Sequence, residues 1–187
     1  GLGLEITYNI VVNKHRGEIK VFSQPGKTVF RVILPINFES EEPLLTSSTP
    51  ETKTSDTRLK QILQDTRTIA VVGASAKPDR PGHTIPAFLQ SAGYRIIPVN
   101  PMLDSLLGEK AYPDLPSIPG PVDLVDIFRR SDEVLPVVEQ AIQIGAKVVW
   151  MQEGVVNEQA AEVARQAGLE VVMDTCLGET YRRLFPA

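Results

Sequence analysis

Residues 71–84, VVGASAKPDRPGHT, place a glycine, small residues and two cations within and directly after an apolar run. The glycine allows a sharp turn and close backbone approach, and the small residues that follow leave room for a ligand. The helix that begins after this stretch offers free N–H groups and a positive dipole end to an anion. The stretch therefore predicts a phosphate-binding loop; the other interpretation is an ordinary strand-to-helix turn with two solvated cations. The predicted contact residues are Gly73, Ala74, Ser75, Lys77 and Arg80.

The dinucleotide fingerprint G-x-G-x-x-G is absent from this loop, because Ser75 and Pro78 occupy its second and third glycine positions. The next predicted strand, YRIIPVN, ends in Asn100 followed by Pro101, whereas NAD sites end this strand with an Asp or Glu that holds the ribose hydroxyls. An uncharged asparagine beside two cations suits a ligand with a further phosphate near its ribose. Coenzyme A, with a 3′-phosphate, and NADP, with a 2′-phosphate, both meet this requirement.

The elements that must position this loop follow from alternating patterns in residues 56–187. Five apolar, β-rich segments are separated by loops and amphipathic stretches; the segments are TIAVVG, YRIIPVN, VDLVDIF, AKVVWM and LEVVMD. Strands that are apolar throughout indicate a parallel sheet covered on both faces. Because crossovers are right-handed, we expect an α/β, Rossmann-like, doubly wound sheet of five strands in the order 3-2-1-4-5. The loop after the first strand would then lie where the strand order reverses, which is where such sheets bind ligands.

The first part of the chain has a different pattern. Residues 1–36 contain one helix-like run and then two alternating runs, EIKVFS and TVFRVILPI, joined around Pro25 and Gly26, which predicts a helix and a β-hairpin. Residues 37–55 are rich in Ser, Thr, Glu and Pro and are typical of a linker. Three short elements bury too little apolar surface to fold alone, so we expect the first part either to need a partner or to be frayed.

Bulk composition excludes several classes of protein. The chain has 187 residues, a formal net charge of −4 and 42% hydrophobic residues, which argues against binding nucleic acid through its phosphates. No apolar run reaches the roughly 20 residues that a membrane-spanning helix requires, so we expect a cytoplasmic protein. The single cysteine, Cys176, can form no internal disulfide and no cysteine-based metal cluster. We therefore predict no metal site, and oligomeric state is left open.

Residues 56–185 resemble the small stand-alone CoA-binding proteins, relatives of the CoA-binding domain of the succinyl-CoA synthetase α-subunit. The resemblance rests on TIAVVGASAKPDRPGH, GYRIIPVNP, VDLVDIFR, VVWMQEG and VMDTCL, which follow one another with little insertion. It implies coenzyme A or an acyl-CoA as the ligand. By position, Gly73, Ala74 and Ser75 would face its phosphates, with Lys77 and Arg80 as charge partners; Asn100 and Pro101 would border the adenosine end, and Phe128, Arg129 and Gln152 would line the rim.

A second resemblance concerns residues 1–36. GLGL and HRGEIKV look like the C-terminal end of the ATP-binding domain of sensor histidine kinases. The asparagine-bearing helix and aspartate-bearing loop that hold Mg²⁺ and adenine in that family are missing here. The resemblance therefore implies a remnant of that domain without kinase activity.

Candidates for catalysis are few in this sequence. His83 starts a helix, and Asp123 and Asp126 have an odd separation on one strand, which places them on opposite faces and makes them a poor acid–base pair. Cys176 is expected to be a buried small apolar residue; a mixed disulfide with coenzyme A is the alternative. The leading interpretation is therefore non-catalytic binding of CoA or acyl-CoA. An NADP-dependent oxidoreductase and the C-terminal regulatory part of a sensor histidine kinase are the alternatives.

Overall fold

The computed structural model describes residues 18–24, 27–33 and 54–186. The chain divides into two compact units, residues 1–48 and 49–187. The division into a kinase remnant, a linker and a binding domain, with boundaries at residues 36 and 55, stays a prediction.

The described part of the first unit is a β-hairpin. Strands β1 (Glu18–Gln24) and β2 (Lys27–Ile33) pair in antiparallel fashion with Gln24 opposite Lys27. This confirms the predicted hairpin. The helix predicted before it, and nearly all of the predicted linker, lie outside the described residues.

The second unit is a parallel sheet flanked by helices. Its elements in chain order are α1 (Asp56–Asp65), β3 (Thr68–Val72), α2 (Pro81–Ser91), β4 (Arg95–Val99), β5 (Ser105–Leu106), β6 (Glu109–Lys110), β7 (Leu124–Ile127), α3 (Val134–Gln143), β8 (Val148–Met151), α4 (Glu158–Gln166), β9 (Glu170–Val172) and α5 (Leu177–Leu184). The strands β3, β4, β7, β8 and β9 form one five-stranded sheet in which every pair is parallel. The short β5 and β6 form a separate antiparallel pair. The predicted α/β, Rossmann-like fold is confirmed.

The predicted strand order is wrong. The sheet runs β4-β3-β7-β8-β9, which is 2-1-3-4-5 in the order of its own strands, because β7 pairs with β3 on the side opposite β4 instead of adding beyond β4. Strand β4 is an edge strand that contains Pro98, a residue without an N–H for a second ladder. Its outer side is covered by Tyr112, whose N–H donates to the Pro98 carbonyl over 2.9 Å and whose carbonyl accepts from the Asn100 N–H over 2.9 Å.

Alternation along the strands divides the core into two layers. In β3, Ile69 and Val71 belong to the cluster under α1, α2 and α5, whereas Ala70 and Val72 belong to the cluster under α3 and α4. All five residues of β3 are buried, as expected of a strand covered on both faces. The loops at the carboxyl ends of the strands are therefore held by a fully packed sheet. No helix in the described part of the chain is long and apolar enough to cross a membrane.

Asp123 fixes the start of β7 between its neighbours. One carboxylate oxygen accepts from the N–H groups of Arg67 and Thr68 at 3.0 Å each, and the other accepts from Lys147 Nζ at 2.9 Å. Partial burial alone would raise the pKa of this carboxyl, but the bonds from Lys147 and the two N–H groups outweigh burial and lower the pKa. The Asp123 side chain therefore joins the starts of β3 and β8 to the start of β7.

Comparing variants of Asp123 and Lys147 separates the stability that Asp123 gains from its two backbone bonds from the stability that it gains from the ion pair. We expect Asp123→Ala to lower the free energy of unfolding by about 1–3 kcal/mol, because two N–H groups lose their acceptor. The matched change Lys147→Ala removes only an exposed partner and is expected to cost clearly less than Asp123→Ala. Urea denaturation at neutral pH measures both.

The stabilisation by Asp123 is also expected to depend on pH. Because its folded pKa is lowered, its stabilisation is present above the unfolded pKa and is lost as the pH falls through the folded pKa. The difference between wild type and Asp123→Ala should shrink in acid. Equal losses for Asp123→Ala and Lys147→Ala would contradict the backbone role.

Candidate functional site

The reversal of strand order places a crevice between the carboxyl ends of β3 and β7. The chain leaves β3 toward β4 on one side and returns to β7 on the other, which is the position where open α/β sheets bind ligands. A cleft of about 260 Å³ opens at this edge. Its lining combines three valines and a proline with charged and amide groups: Val72, Val99, Pro113, Asp114, Arg129, Glu133, Val137 and Gln140.

Gly73 brings the ends of three strands together. Its φ is +90°, and its N–H donates to the Val99 carbonyl over 3.0 Å. A Cβ at this position would overlap the Phe128 carbonyl oxygen and lie 3.0 Å from the carbonyl carbon. The Phe128 N–H in turn donates to the Val72 carbonyl over 2.8 Å. Only glycine fits both the positive φ and this backbone approach.

Gly82 is a second glycine of this junction, which sequence analysis missed. It lies in the first turn of α2, where an added Cβ would be 2.8 Å from the Gly73 carbonyl oxygen. Its own carbonyl accepts from the Ser75 N–H over 3.1 Å. The signal in the sequence was a glycine directly after Pro81, since proline favours the first position of a helix and glycine is costly there unless space demands it.

The loop after β3 offers fewer free N–H groups than a bare turn would. Besides the Ser75 N–H, which bonds Gly82, the Lys77 N–H donates to Ser75 Oγ over 3.2 Å. The N–H groups of Ala74, Ala76 and Asp79 donate to no acceptor among the residues that the structure describes. Ala74 is only 1% exposed, so the phosphate-binding capacity of the loop rests on the exposed amides of Ala76 and Asp79, on the α2 N-terminus and on the cations.

His83 supports the same loop from α2. Its Nδ1 lies 2.9 Å from the Ser75 carbonyl oxygen, which can only accept, so Nδ1 carries the hydrogen. The side chain is half-buried. This bond braces the loop and leaves Nε2 as the remaining polar atom of the ring.

Lys77 and Arg80 are both exposed at the start of α2. Neither forms an ion pair with another described residue. Arg80 is the residue that precedes the first turn of the helix, so its charge adds to the positive helix end. The two predicted charge partners therefore lie together beside the loop.

Asn100 connects the loop after β4 to the loop after β3. Its Nδ2 donates to the Ala74 carbonyl over 2.7 Å, and its Oδ1 accepts from the Met102 N–H over 2.9 Å. Pro101, next to it, is exposed. The asparagine therefore shapes the border of the crevice, and its amide is occupied by the backbone of both loops.

The rim residues predicted after β7 and β8 differ in position. Arg129 lines the cleft, and Phe128 is half-buried beside it. Gln152 does not lie on the rim: it is 5% exposed, its Nε2 donates to Asp126 Oδ1 over 2.7 Å, and its Oε1 accepts from the Leu177 N–H over 3.3 Å. Both ends of its amide are used inside the protein, so that prediction is corrected.

Asp126 is a buried carboxyl whose environment the sequence did not predict. It is completely buried in the middle of the sheet, opposite Val71 of β3 and Trp150 of β8. Its Oδ2 has no hydrogen-bond partner among the described residues. Burial raises the pKa of this carboxyl to about 7, although the Gln152 amide and the Ile127 N–H favour the charged form. An aspartate within the apolar run VDLVDIF was the available signal.

Side chains also tie the remaining loops of this edge to one another. Ser131 Oγ accepts from the Val156 N–H over 3.0 Å, and the Ser131 carbonyl accepts from the Asn157 side chain over 2.7 Å. Asp174 Oδ1 accepts from the Gly154 N–H over 2.7 Å. The half-buried Cys176 precedes α5. The described residues contain no cluster of three metal-ligating side chains.

Comparisons with known proteins concern the second unit. Residues 67–182 match the family described as CoA binding domain. The uncharacterized protein YneT of Bacillus subtilis is 46% identical over 123 residues, which cover 66% of this chain and 91% of that protein. A hypothetical protein from Pyrococcus horikoshii has a solved structure with a TM-score of 0.70 and 37% identity, covering 75% of this chain and 99% of that chain.

A similar region occurs within much longer enzymes. The acetate–CoA ligase [ADP-forming] I of Archaeoglobus fulgidus is 30% identical over 122 residues, which are 60% of this chain and 18% of the ligase. The chain therefore spans less than a fifth of that relative. The family match at residues 67–182 does not include the hairpin of the first unit, so the kinase resemblance stays a prediction.

The junction at Gly73 can be tested by adding one methyl group. We expect Gly73→Ala to lower the free energy of unfolding by at least about 2 kcal/mol more than Gly93→Ala, because only the first change forces side-chain atoms into a neighbouring backbone. Gly93 is the matched control: its φ is +101° and a Cβ there has nothing within 4 Å. Thermal and urea denaturation measure both variants, and equal losses would contradict the proposed close approach.

Proposed function

Because the chain belongs to the CoA-binding domain family, we propose that it binds coenzyme A or an acyl-CoA in the crevice between β3 and β7, without catalysing a reaction. One observation supports this more than any other. Two exposed cations, Lys77 and Arg80, flank a glycine turn and a helix N-terminus at the point where the strand order reverses. The proposed contact residues are those predicted from the sequence, except Gln152.

The diphosphate would lie against the loop after β3. The exposed N–H groups of Ala76 and Asp79 and the positive end of α2 are donors that suit an anion. The two exposed cations can turn toward phosphate without giving up an ion pair to another described residue. Charge-assisted hydrogen bonds of this kind are stronger than neutral ones.

The adenosine end would enter the cleft beside this loop. Val72, Val99 and Val137 give the cleft apolar walls suited to a flat base, while Arg129 and Glu133 add polar groups. Ligand sites commonly combine apolar walls with a few polar groups in this way. Asn100 stands at the border without a charge that would repel a phosphate near the ribose.

We assign no catalytic residue to this chain. Asp123 is committed to the backbone of Arg67 and Thr68, and Asp126 is buried away from solvent. The ligase relative carries a similar region as 18% of its length, so its ligation chemistry is not implied by that region alone. Binding is therefore the function that the site supports best. A cytoplasmic location stays a prediction, and the oligomeric state stays open.

NADP is the second candidate ligand, because the same two cations suit its 2′-phosphate. The absent glycine fingerprint and the absence of an assigned hydride-transfer residue count against an oxidoreductase. The regulatory role in a sensor kinase depends on residues 1–36, of which only the hairpin is described. Neither alternative explains the family match as simply as coenzyme A.

Calorimetric titration with CoA, dephospho-CoA, NADP and NAD tests the proposal. We expect CoA to bind more tightly than the others, and we expect Lys77→Ala and Arg80→Ala to weaken CoA binding about three- to tenfold each, as the loss of an exposed charge contact would. A larger loss for CoA than for dephospho-CoA would assign the cation to the 3′-phosphate. Equal losses would assign it to the diphosphate.

Arg95→Ala is the matched control, since Arg95 is an exposed cation at the opposite end of the sheet, at the start of β4. It should bind CoA as the wild type does. Absence of CoA binding, or tighter binding of NADP than of CoA, would refute the proposed function.

A further inference from the structure

A chain of buried polar groups runs beneath the crevice from the sheet to α5. We call it the Asp126 chain, and it consists of Asp126, Gln152 and the Leu177 N–H. Asp126 accepts from Gln152 over 2.7 Å, and Gln152 accepts from Leu177 over 3.3 Å. Asp126 and Leu177 are completely buried and Gln152 is 5% exposed. The chain therefore links the central strand β7 to the first residue of α5.

This chain lies near the part of the proposed ligand site that would hold the phosphates. Asp126 is two residues before Phe128, and its partner in β3, Val71, is two residues before Gly73. At the other end, Gly178 packs against α2: a Cβ there would lie 3.4 Å from two carbon atoms of the Ile85 side chain. Since α2 carries the helix end that faces the phosphates, a shift at the start of α5 would be transmitted to that helix.

The uncommitted oxygen of Asp126 makes the chain sensitive to protons. A neutral carboxyl can remain in the apolar layer at modest cost, whereas a carboxylate there has one oxygen without any donor and demands water or a partner. The sheet around it is fixed by parallel ladders on both sides. The start of α5, which covers this part of the sheet, is bound to the chain by the 3.3 Å bond from the Leu177 N–H.

No neighbouring charge competes for this role. The spans of β3 and β8, TIAVV and VVWM, contain no titratable side chain. On α1, Asp56, Arg58, Lys60 and Asp65 are exposed. On α2 and α5, His83, Tyr181 and the preceding Cys176 are half-buried, and Glu179, Arg182 and Arg183 are exposed. Burial is the main cause of the raised pKa of Asp126, and no other charged side chain contributes to it.

We propose that Asp126 is a proton-dependent positioning residue: its neutral form is compatible with the closed packing of the start of α5 over β7, whereas its ionisation leaves Oδ2 charged and without a donor in the apolar layer, which opens that cover to water and weakens ligand binding. The first half of this proposal concerns the protein alone. The second half rests on the proposed function, because it requires coenzyme A as the ligand.

The protein contains its own reporter of this event. Trp150 is the only tryptophan of the chain and lies opposite Asp126 in the sheet register. Its Nε1 donates to the Thr175 carbonyl over 2.7 Å, two residues before Leu177. Its emission should therefore respond both to the charge on Asp126 and to movement of the segment that leads into α5.

The first experiment follows Trp150 emission of the ligand-free protein from pH 5.5 to 8.5. With the folded pKa raised to about 7, we expect one transition centred near pH 7 in the wild type and none in Asp126→Asn. His83→Gln is the control for the nearest half-buried histidine and should retain the transition. Amide exchange of Leu177 in the wild type, corrected for the intrinsic effect of pH, should be faster at pH 8 than at pH 6 and needs no variant.

The second experiment measures CoA affinity at pH 6 and pH 8 by calorimetry. The neutral fraction of a carboxyl with a pKa of about 7 falls about tenfold across this interval, so the wild type should lose up to about tenfold more affinity than Asp126→Asn. The change in affinity of Asp126→Asn between the two pH values measures the part that comes from ionisation of the ligand's own phosphate.

The outcomes separate the two proposals. A missing transition, one that persists in Asp126→Asn, or unchanged protection at Leu177 would overturn the role of Asp126. An intact transition with equal pH dependence of affinity in both proteins would overturn its effect on the ligand. If no CoA binds at either pH, the proposed function fails and with it the effect on CoA, while the emission and exchange data still decide whether Asp126 controls α5.

Discussion

The contact between the backbones of Gly73 and Phe128 is the constraint on which the rest of this structure depends. It lies at the carboxyl ends of the neighbouring parallel strands β3 and β7. The chain leaves these two strands in opposite directions, so the loops that follow them must separate close to the contact. A side chain at Gly73 would keep them apart. Gly82 extends the same constraint to α2, whose first turn rests on the Gly73 carbonyl. The two glycines therefore set the crevice by letting three backbones meet, and any contribution to ligand binding follows from that geometry.

Around this junction, hydrogen bonds from side chains hold the loops in fixed positions. Asn100 joins the loops after β3 and β4, and Ser131 and Asp174 join the loops after β7, β8 and β9. Each bond contributes only about 1 kcal/mol to stability, but together they hold the rim in one arrangement before a ligand arrives. A rim that is already ordered loses less conformational freedom on binding. The exposed Lys77 and Arg80 are the exception, and they can adjust to the position of a phosphate.

The sequence predicted the five strands and the loop after β3 because apolar runs and glycine turns are local features. Strand order is not local, and the right-handed crossover rule did not distinguish 3-2-1-4-5 from 2-1-3-4-5. Pro98 could have done so, since a proline in a strand indicates an edge and the predicted order placed that strand in the interior. Gln152 was misplaced for a related reason: a glutamine after a strand suggests an exposed rim, and only the buried Asp126 beneath it explains why its amide turns inward.

Asp126 is hard to explain as a contribution to stability. A rise of its pKa from 3.8 to about 7 corresponds to a loss of about 4 kcal/mol above neutral pH, which is a large part of the 5–15 kcal/mol typical of a whole domain. With the pKa raised on folding, the folded protein holds this proton more tightly than the unfolded chain, so the cost begins above the ordinary pKa of 3.8, grows as the pH rises, and is complete above the folded pKa of about 7. An asparagine would fill a similar volume and accept the same bond from Gln152 without that dependence. A group that lowers stability at neutral pH, and whose partner Gln152 leads to the start of α5, fits a role in responding to protons better than a role in packing.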